Sequence, residues 1–239
     1  MSADTKTSPV VYRRPKKYDA VKNAFGTSPG PAGSCGTWAT EACWSVCYAD
    51  KSRRYTAVAA LQDNNTDHVA DRATEDRWPE LASEYADMLR ESERLQRAKG
   101  VTAPIFRWKW SGETFNEWEA RAIAEAHRMV PTIKGWIYTR NLLAVAYLTG
   151  VATLRVLVSA DKDNIRAAES IATLYNLQVA YMDDGAERER TERALVCPAA
   201  KRGNVVKSSK SPSGLAGICS VCRACVDTKA TPNIVFPIH

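Results

Sequence analysis

The sequence has no apolar run approaching the roughly 20 residues of a membrane-spanning helix. Met1 to Lys17 is polar and basic, without the apolar core of a secretory signal. Both absences point to a cytoplasmic chain with no membrane partner. Histidine is scarce: His68, His127 and His239 are scattered, which argues against histidine-based catalysis, and His127 reads as a helix-surface residue. Neither a P-loop nor Gly-x-Gly-x-x-Gly occurs, so no ATP or dinucleotide site is indicated. Cysteine is missing between Cys47 and Cys197, which divides the seven cysteines into Cys35, Cys43 and Cys47, and Cys197, Cys219, Cys222 and Cys225. An odd number so grouped, where thiols stay reduced, reads as ligands rather than as disulfides.

What is present fits a globular chain. At 239 residues and 45% hydrophobic content, it can bury a full core as one barrel-sized domain or two small ones. The formal charge of +6 is uneven. Residues 1–34 carry six Lys/Arg against two Asp, and residues 197–239 carry six against one, leaving the middle mildly acidic. Basic ends around an acidic body suit a polyanionic partner such as DNA, and equally suit solvated tails.

The spacing of apolar residues gives a strand–helix alternation. Residues 1–34 read as a basic arm and loop, with Val10 to Tyr12 the only strand candidate. Arg53 to Gln62 reads as a helix broken at Asn64-Asn65, and Glu75 to Lys99 as the strongest helix, closed by Gly100. Pro104 to Trp110 is a predicted strand, with Phe106, Trp108 and Trp110 on one face and Ile105, Arg107 and Lys109 on the other. Helices are predicted over Phe115–Val130, Leu142–Leu148 and Lys162–Leu174, and strands over Ile133–Thr139, Leu154–Ser159 and Gln178–Met182. A charged helical turn over Glu187–Arg193 and a last short strand over Ala194–Val196 follow. Short connections between alternating elements predict parallel βαβ units, and hence an α/β partial (β/α) barrel over 35–196 with a Cys-rich extension at 197–239. Sites in such folds gather at the C-terminal ends of the strands.

Polar residues stand at those ends: Ser111-Gly112-Glu113, Thr139-Arg140-Asn141, Ser159-Ala160-Asp161 with Asn164 one turn on, and Asp183-Asp184. Helix capping accounts for Asp161 and Asn141 as well as a functional role does. Upstream, Cys35-x7-Cys43-x3-Cys47 follows a Gly/Pro-rich run, Gly26 to Gly33. Three thiolates can hold three irons of a [4Fe–4S] cluster and leave the fourth open to a small molecule.

Cys47-Tyr48-Ala49, Trp110-Ser111-Gly112-Glu113 and Trp136-Ile137-Tyr138-Thr139-Arg140, in that order, resemble the radical S-adenosylmethionine (SAM) superfamily, and within it small phage-encoded proteins. The cysteine spacing departs from the usual Cys-x3-Cys-x2-Cys of that superfamily. The resemblance implies a barrel of radical SAM type in which Cys35, Cys43 and Cys47 bind a SAM-chelating [4Fe–4S] cluster supplied by a reducing electron donor. It implies that Ser111, Gly112 and Glu113 hold the methionine amino group. Arg140, beside Thr139, is the candidate for the methionine carboxylate, and Ser159, Asp161 and Asn164 for the ribose hydroxyls. Phage proteins of this kind resemble DNA-hypermodification enzymes, in which an amino-acid-bearing thymidine is rearranged. That makes an isomerase acting on DNA the expected function.

Cys219-x2-Cys222-x2-Cys225 with the remote Cys197-Pro198 has the ferredoxin arrangement of three close cysteines and a distant Cys-Pro. A zinc staple from the same four thiolates is the alternative, though zinc sites more often pair two Cys-x2-Cys units. The pattern favours a second, auxiliary [4Fe–4S] cluster. Two other functions fit the residues: a non-catalytic iron–sulfur or zinc protein that binds nucleic acid, and a radical SAM enzyme acting on a peptide or small molecule.

Overall fold

The computed structural model describes residues 1–4, 21–183, 194–198, 205–207, 215–217, 219, 222–227 and 233–237. The Val10–Tyr12 strand, the Glu187–Arg193 turn and Asp184 lie outside the described residues, as do Arg13, Arg14, Lys16, Lys17, Lys201, Arg202 and Lys210.

A single 3-10 turn, Gly36–Trp38, and three helices, α1 (Glu41–Ser45), α2 (Tyr48–Ser52) and α3 (Thr56–Arg72), lead into the long α4 (Trp78–Ala98). Then follow β1 (Ile105–Trp108), α5 (Glu117–Met129), β2 (Lys134–Thr139), α6 (Val145–Leu148), β3 (Leu154–Ala160), α7 (Ile165–Tyr175) and β4 (Gln178–Asp183). The chain continues through β5 (Leu195–Val196), the antiparallel pair β6 (Val205–Lys207) and β7 (Leu215–Gly217), and β8 (Ile234–Pro237). The six strands of the main sheet run parallel in the order β1-β2-β3-β4-β8-β5, curled into a half-barrel. The expected α/β partial barrel is therefore present. β5 is not the last strand in the chain: β8 follows it and inserts between β4 and β5, leaving β5 at the sheet edge.

An all-parallel sheet must be covered on both faces. Phe106, Trp108, Ile137, Leu154 and Val156 face the helical layer, where they pack with Leu81, Tyr85, Leu89 and Ile123. The alternate residues Ile105, Trp136, Leu157, Ala180 and Ile234 face inward and pack with Val226, Tyr138, Phe236 and the half-buried Cys197, Cys219 and Cys225. The C-terminal cysteine segment thus fills the concave face of the half-barrel.

The first barrel strand is a short irregular segment at the β1 edge. Arg107 N donates to Asn23 O (2.9 Å) and Phe25 N to Arg107 O (2.9 Å), a parallel pairing of residues 23–25 with β1. Trp110 N donates to Phe25 O (3.1 Å) and Thr27 N to Ser111 O (3.0 Å), extending it towards Cys35. Residues 21 and 23–28, expected as part of the arm, are buried against the sheet, and Lys22 between them is exposed.

Four local expectations change. The helix expected to break at Asn64-Asn65 runs on to Arg72. Asn65 is buried inside it and is satisfied from outside: Ser2 N donates to its Oδ1, and its Nδ2 donates to Ser2 O and Gly26 O. The strand expected to reach Trp110 stops at Trp108, because Lys109 takes a left-handed φ of 48°. That twist brings Lys109 to the helical side, where its ammonium pairs with Glu119 (2.7 Å), both side chains being fully buried. Glu119 also accepts from Tyr85 Oη (2.8 Å) and Phe115 N (2.8 Å). His127, expected on a helix surface, is completely buried and accepts from Trp108 Nε1 (2.8 Å). Burial lowers its pKa to about 4, so it sits in the core as neutral imidazole. Only a glycine fits opposite, since a Cβ at Gly135 would strike the His127 ring.

Candidate functional site

The three N-terminal cysteines lie in a loop fastened over the C-terminal ends of β1, β2 and β3. Ser34, directly before Cys35, is the first fastening. Its hydroxyl accepts from Glu113 N (2.9 Å), shares a hydrogen bond with Thr27 Oγ1 (2.7 Å) and donates to Ser28 O (3.0 Å). This closeness depends on Gly112, whose φ is 73° and where a Cβ would collide with Ser34 Oγ and Thr27 Oγ1. Ser111 adds to the same knot, donating to Thr27 O (2.9 Å) and accepting from Gln62 Nε2 (2.9 Å).

Thr40 is the second fastening. It caps α1 by accepting from Cys43 N (3.1 Å), and its hydroxyl donates to Asp161 Oδ2 (2.5 Å). Asp163 accepts from Ala42 N (2.9 Å), so α1 is moored to the turn after β3. Tyr48, directly after Cys47, is the third: its hydroxyl donates to Trp110 O.

Around the loop stand Glu113, Arg140 and Asp161. The Glu113 carboxylate is buried and accepts from Thr114 N (2.7 Å), Thr139 Oγ1 (2.8 Å) and Arg140 N (2.6 Å). Loss of solvent nevertheless holds its pKa above the usual carboxylate range. The Arg140 guanidinium is ion-paired with Asp161. Burial pushes the Cys35 thiol up to about 12, with the Glu113 charge and those of Cys43 and Cys47 adding to it. Cys43 is also raised, first by burial, with Arg140 pulling the other way and Cys47, Asp161 and Glu113 pushing up. These mutual effects place the three thiols, Glu113, Arg140 and Asp161 in one neighbourhood. Buried thiols so raised make poor nucleophiles, since thiolate is the reactive form. They suit a cationic centre that supplies the missing positive charge and displaces the protons.

The second cysteine set lies on the inner face. The Tyr138 hydroxyl donates to Cys225 Sγ (2.7 Å), and Arg155 Nη1 donates to Ala224 O (2.7 Å). Arg223 donates to Ala103 O (3.0 Å), and Asp227 accepts from Lys134 Nζ (2.9 Å) and pairs with Arg223. These contacts pin the segment to the entry of β1 and β2. Burial raises both Cys219 and Cys225, the latter to about 12, while the Arg107 charge pulls each down and Cys197 pushes each up. All seven cysteines are free. Among the described residues no three His, Cys, Asp or Glu side chains are gathered closely enough to hold one metal ion.

The chain matches the Gene product 88 family over residues 3–228. It belongs to that family. The matched stretch takes in both cysteine sets and every strand-end residue described above, and ends before β8. No curated protein and no solved structure matches this Gene product 88 chain.

Of the residues singled out from sequence, the fold of this Gene product 88 chain brings Cys35, Cys43, Cys47, Ser111, Gly112, Glu113, Thr139, Arg140 and Asp161 together. Asn164 accepts from Asp161 N (2.8 Å) and donates to Ser159 O (3.1 Å), so its side chain shapes the turn. Asp161 likewise spends both oxygens on the protein, on Arg140, Thr40 and Asp163 N. Asn141 is spent on Ala144 N and Thr114 O. Asp183 is exposed at the end of β4. Five further contributors went unassigned from sequence: Thr27, Ser34, Thr40, Arg107 and Tyr138. Ser34 is marked by adjoining Cys35. Arg107 is marked as a charge in the middle of an otherwise apolar parallel strand.

Proposed function

We propose that this chain is a radical SAM enzyme. The observation that carries the reading is the seating of three free cysteines over the ends of three adjacent parallel strands, fastened through Ser34 to the Ser111-Gly112-Glu113 turn. Cys35, Cys43 and Cys47 are the ligands of a [4Fe–4S] cluster, and Cys197, Cys219, Cys222 and Cys225 those of an auxiliary one. The donor chemistry fits: each set is thiol-only, and its largely half-buried thiols gain from a cationic centre. A cluster held by Cys35, Cys43 and Cys47 would supply an open iron to bind SAM and the electron for its reductive cleavage.

The chain's own residues bind and orient. A carboxylate offers about four lone-pair positions, and Glu113 has three filled, leaving one for the methionine ammonium. A buried anion gains most from an arriving cation. Arg140 uses Nη1 on Asp161 and keeps donors for the methionine carboxylate. Ser159 is the remaining candidate for ribose, since Asp161 and Asn164 hold the cysteine loop and its turn. For substrate we propose an amino-acid-bearing thymidine in DNA, presented flipped or single-stranded so that an enclosed radical can reach it. The uneven charge supports a phosphate-backbone partner.

Anaerobic reconstitution tests the assignment. The protein is expected to carry about eight irons with matching sulfide, and a Cys35→Ala, Cys43→Ala, Cys47→Ala variant about four. Incubation with SAM, dithionite and single-stranded DNA, followed by nucleoside mass spectrometry, reads the substrate. Iron without SAM turnover, together with tight DNA binding, would favour a non-catalytic nucleic-acid-binding protein. SAM turnover with DNA left unchanged points instead to a peptide or small molecule.

A further inference from the structure

The inner face holds a cation that no carboxylate among the described residues pairs. Arg107 lies in the middle of β1, its Nε buried and without a hydrogen-bond partner, and no carboxylate pairs with it among the described residues. Its guanidinium lies over the Tyr138 ring (5.4 Å to the centroid), and its Nη2 reaches Tyr48 Oη at 3.3 Å. The strand positions on either side, Phe106 and Trp108, are fully buried and apolar. A half-buried guanidinium with an unpartnered Nε gains from a nearby anion. Such a residue asks for a negative partner, and the nearby groups able to become one are the thiols of Cys219 and Cys225. Tyr138 points to the same place. It is held by the edge-on Phe236 ring (5.3 Å), and its hydroxyl donates to Cys225 Sγ.

We propose that Arg107 and Tyr138 are positioning residues for a thiolate centre at Cys197, Cys219, Cys222 and Cys225, Tyr138 hydrogen-bonding the Cys225 sulfur and Arg107 offsetting the negative charge of the set. The inference rests on the reading of these four cysteines as metal ligands, and deepens it. Hydrogen bonds to ligand sulfur and nearby positive charge favour the reduced, more negative state of a cluster. The centre is therefore poised to be reduced more easily than a bare four-thiolate cluster. Arg107 also reaches towards the first site, since it touches Tyr48, the neighbour of Cys47.

The test uses the full chain, anaerobically reconstituted, with Tyr138→Phe, Arg107→Gln and Arg107→Lys. Tyr138→Phe keeps the ring and its packing and loses only the hydroxyl. Metal analysis comes first, and potentiometric EPR then follows the cluster signal that added SAM leaves unchanged. The expected result is full iron content with the reduction equilibrium constant lowered about tenfold in Tyr138→Phe and in Arg107→Gln, equivalent to ~59 mV for a one-electron couple. Arg107→Lys should restore most of the loss. Unchanged potentials at full iron content would overturn the inference and leave the auxiliary cluster standing. If the four cysteines carry zinc, the auxiliary-cluster reading fails. The same variants should then release zinc to a chelator at ten- to a hundredfold lower competitor affinity. Equal retention would overturn the inference too, and a chain binding neither metal at these cysteines overturns both.

Discussion

Gly112 is the residue on which the N-terminal site most depends. Its φ of 73° is a left-handed conformation that costs a side-chain-bearing residue about 1–2 kcal/mol, before any contact is considered. The position is also filled on its outer side by Ser34 and Thr27. Gly112→Ala is therefore expected to lower stability by at least about 2 kcal/mol and to loosen the hold on Cys35. Thermal unfolding of the metal-free protein measures the first effect, and an unchanged midpoint would contradict the geometry. Glu113 needs gentler handling. Glu113→Ala would strand three buried donors, so its loss of SAM binding would mix with misfolding, whereas Glu113→Gln keeps the shape and removes the charge. His127 gives a pH signature. An exposed histidine titrates near 6.5 and this one near 4, so between those values the unfolded chain binds more protons. Stability is full above pH 6.5 and is lost as pH falls towards 4, by up to about 3 kcal/mol. Urea unfolding across that window, compared with His127→Gln, isolates the slope, and parallel curves would refute it. Sequence periodicity places His127 on an amphipathic helix but not its partner, because Trp108 stands 19 positions away.

At the scale of elements, the legible parts are those whose signal is local. β2, β3 and β4 read clearly because runs such as Leu154 to Val158 are apolar except for Arg155 and carry β-branched Val156 and Val158, and α4 and α5 because their apolar faces repeat at helical spacing. The illegible parts are held by distant partners. α3 passes through two asparagines because Ser2 and Gly26 satisfy Asn65. Residues 23–27 pair with β1 on one side, meet Asp4 in a lone bridge on the other, and carry Gly26, so no strand pattern forms. β8 follows the cysteine segment in the chain but lies inside the sheet. The cysteine loop itself is anchored by Thr40 and Asp161, which are 121 positions apart. Asp161→Ala should cost about 3–5 kcal/mol, since it leaves Arg140 half-buried without its carboxylate. Thr40→Ala should cost only about 1 kcal/mol while freeing the same loop. Both should hasten proteolytic cleavage between residues 36 and 47. Slow cleavage in Thr40→Ala would mean that the loop is held by something other than this mooring.

At the scale of the molecule, two thiol sets share one half-barrel, one over the strand ends and one inside the curl. Arg107, Tyr138 and Tyr48 lie between them. The grouping of the cysteines was plain in the sequence, as was the alternation that builds the sheet. Their relative placement was not, because it depends on how far the sheet curls and on the last segment folding back into it. Among the described residues no helix is long and apolar enough to cross a membrane. The central claim is that Cys35, Cys43 and Cys47 make this chain a SAM-cleaving enzyme. The most direct measurement is 5′-deoxyadenosine released from SAM by the anaerobically reconstituted chain with dithionite, quantified by mass spectrometry. Release is expected from the wild-type chain and none from the Cys35→Ala, Cys43→Ala, Cys47→Ala variant, even where that variant keeps iron at its C-terminal cysteines. No 5′-deoxyadenosine from wild-type protein carrying its full iron, or equal release by the variant, would contradict it.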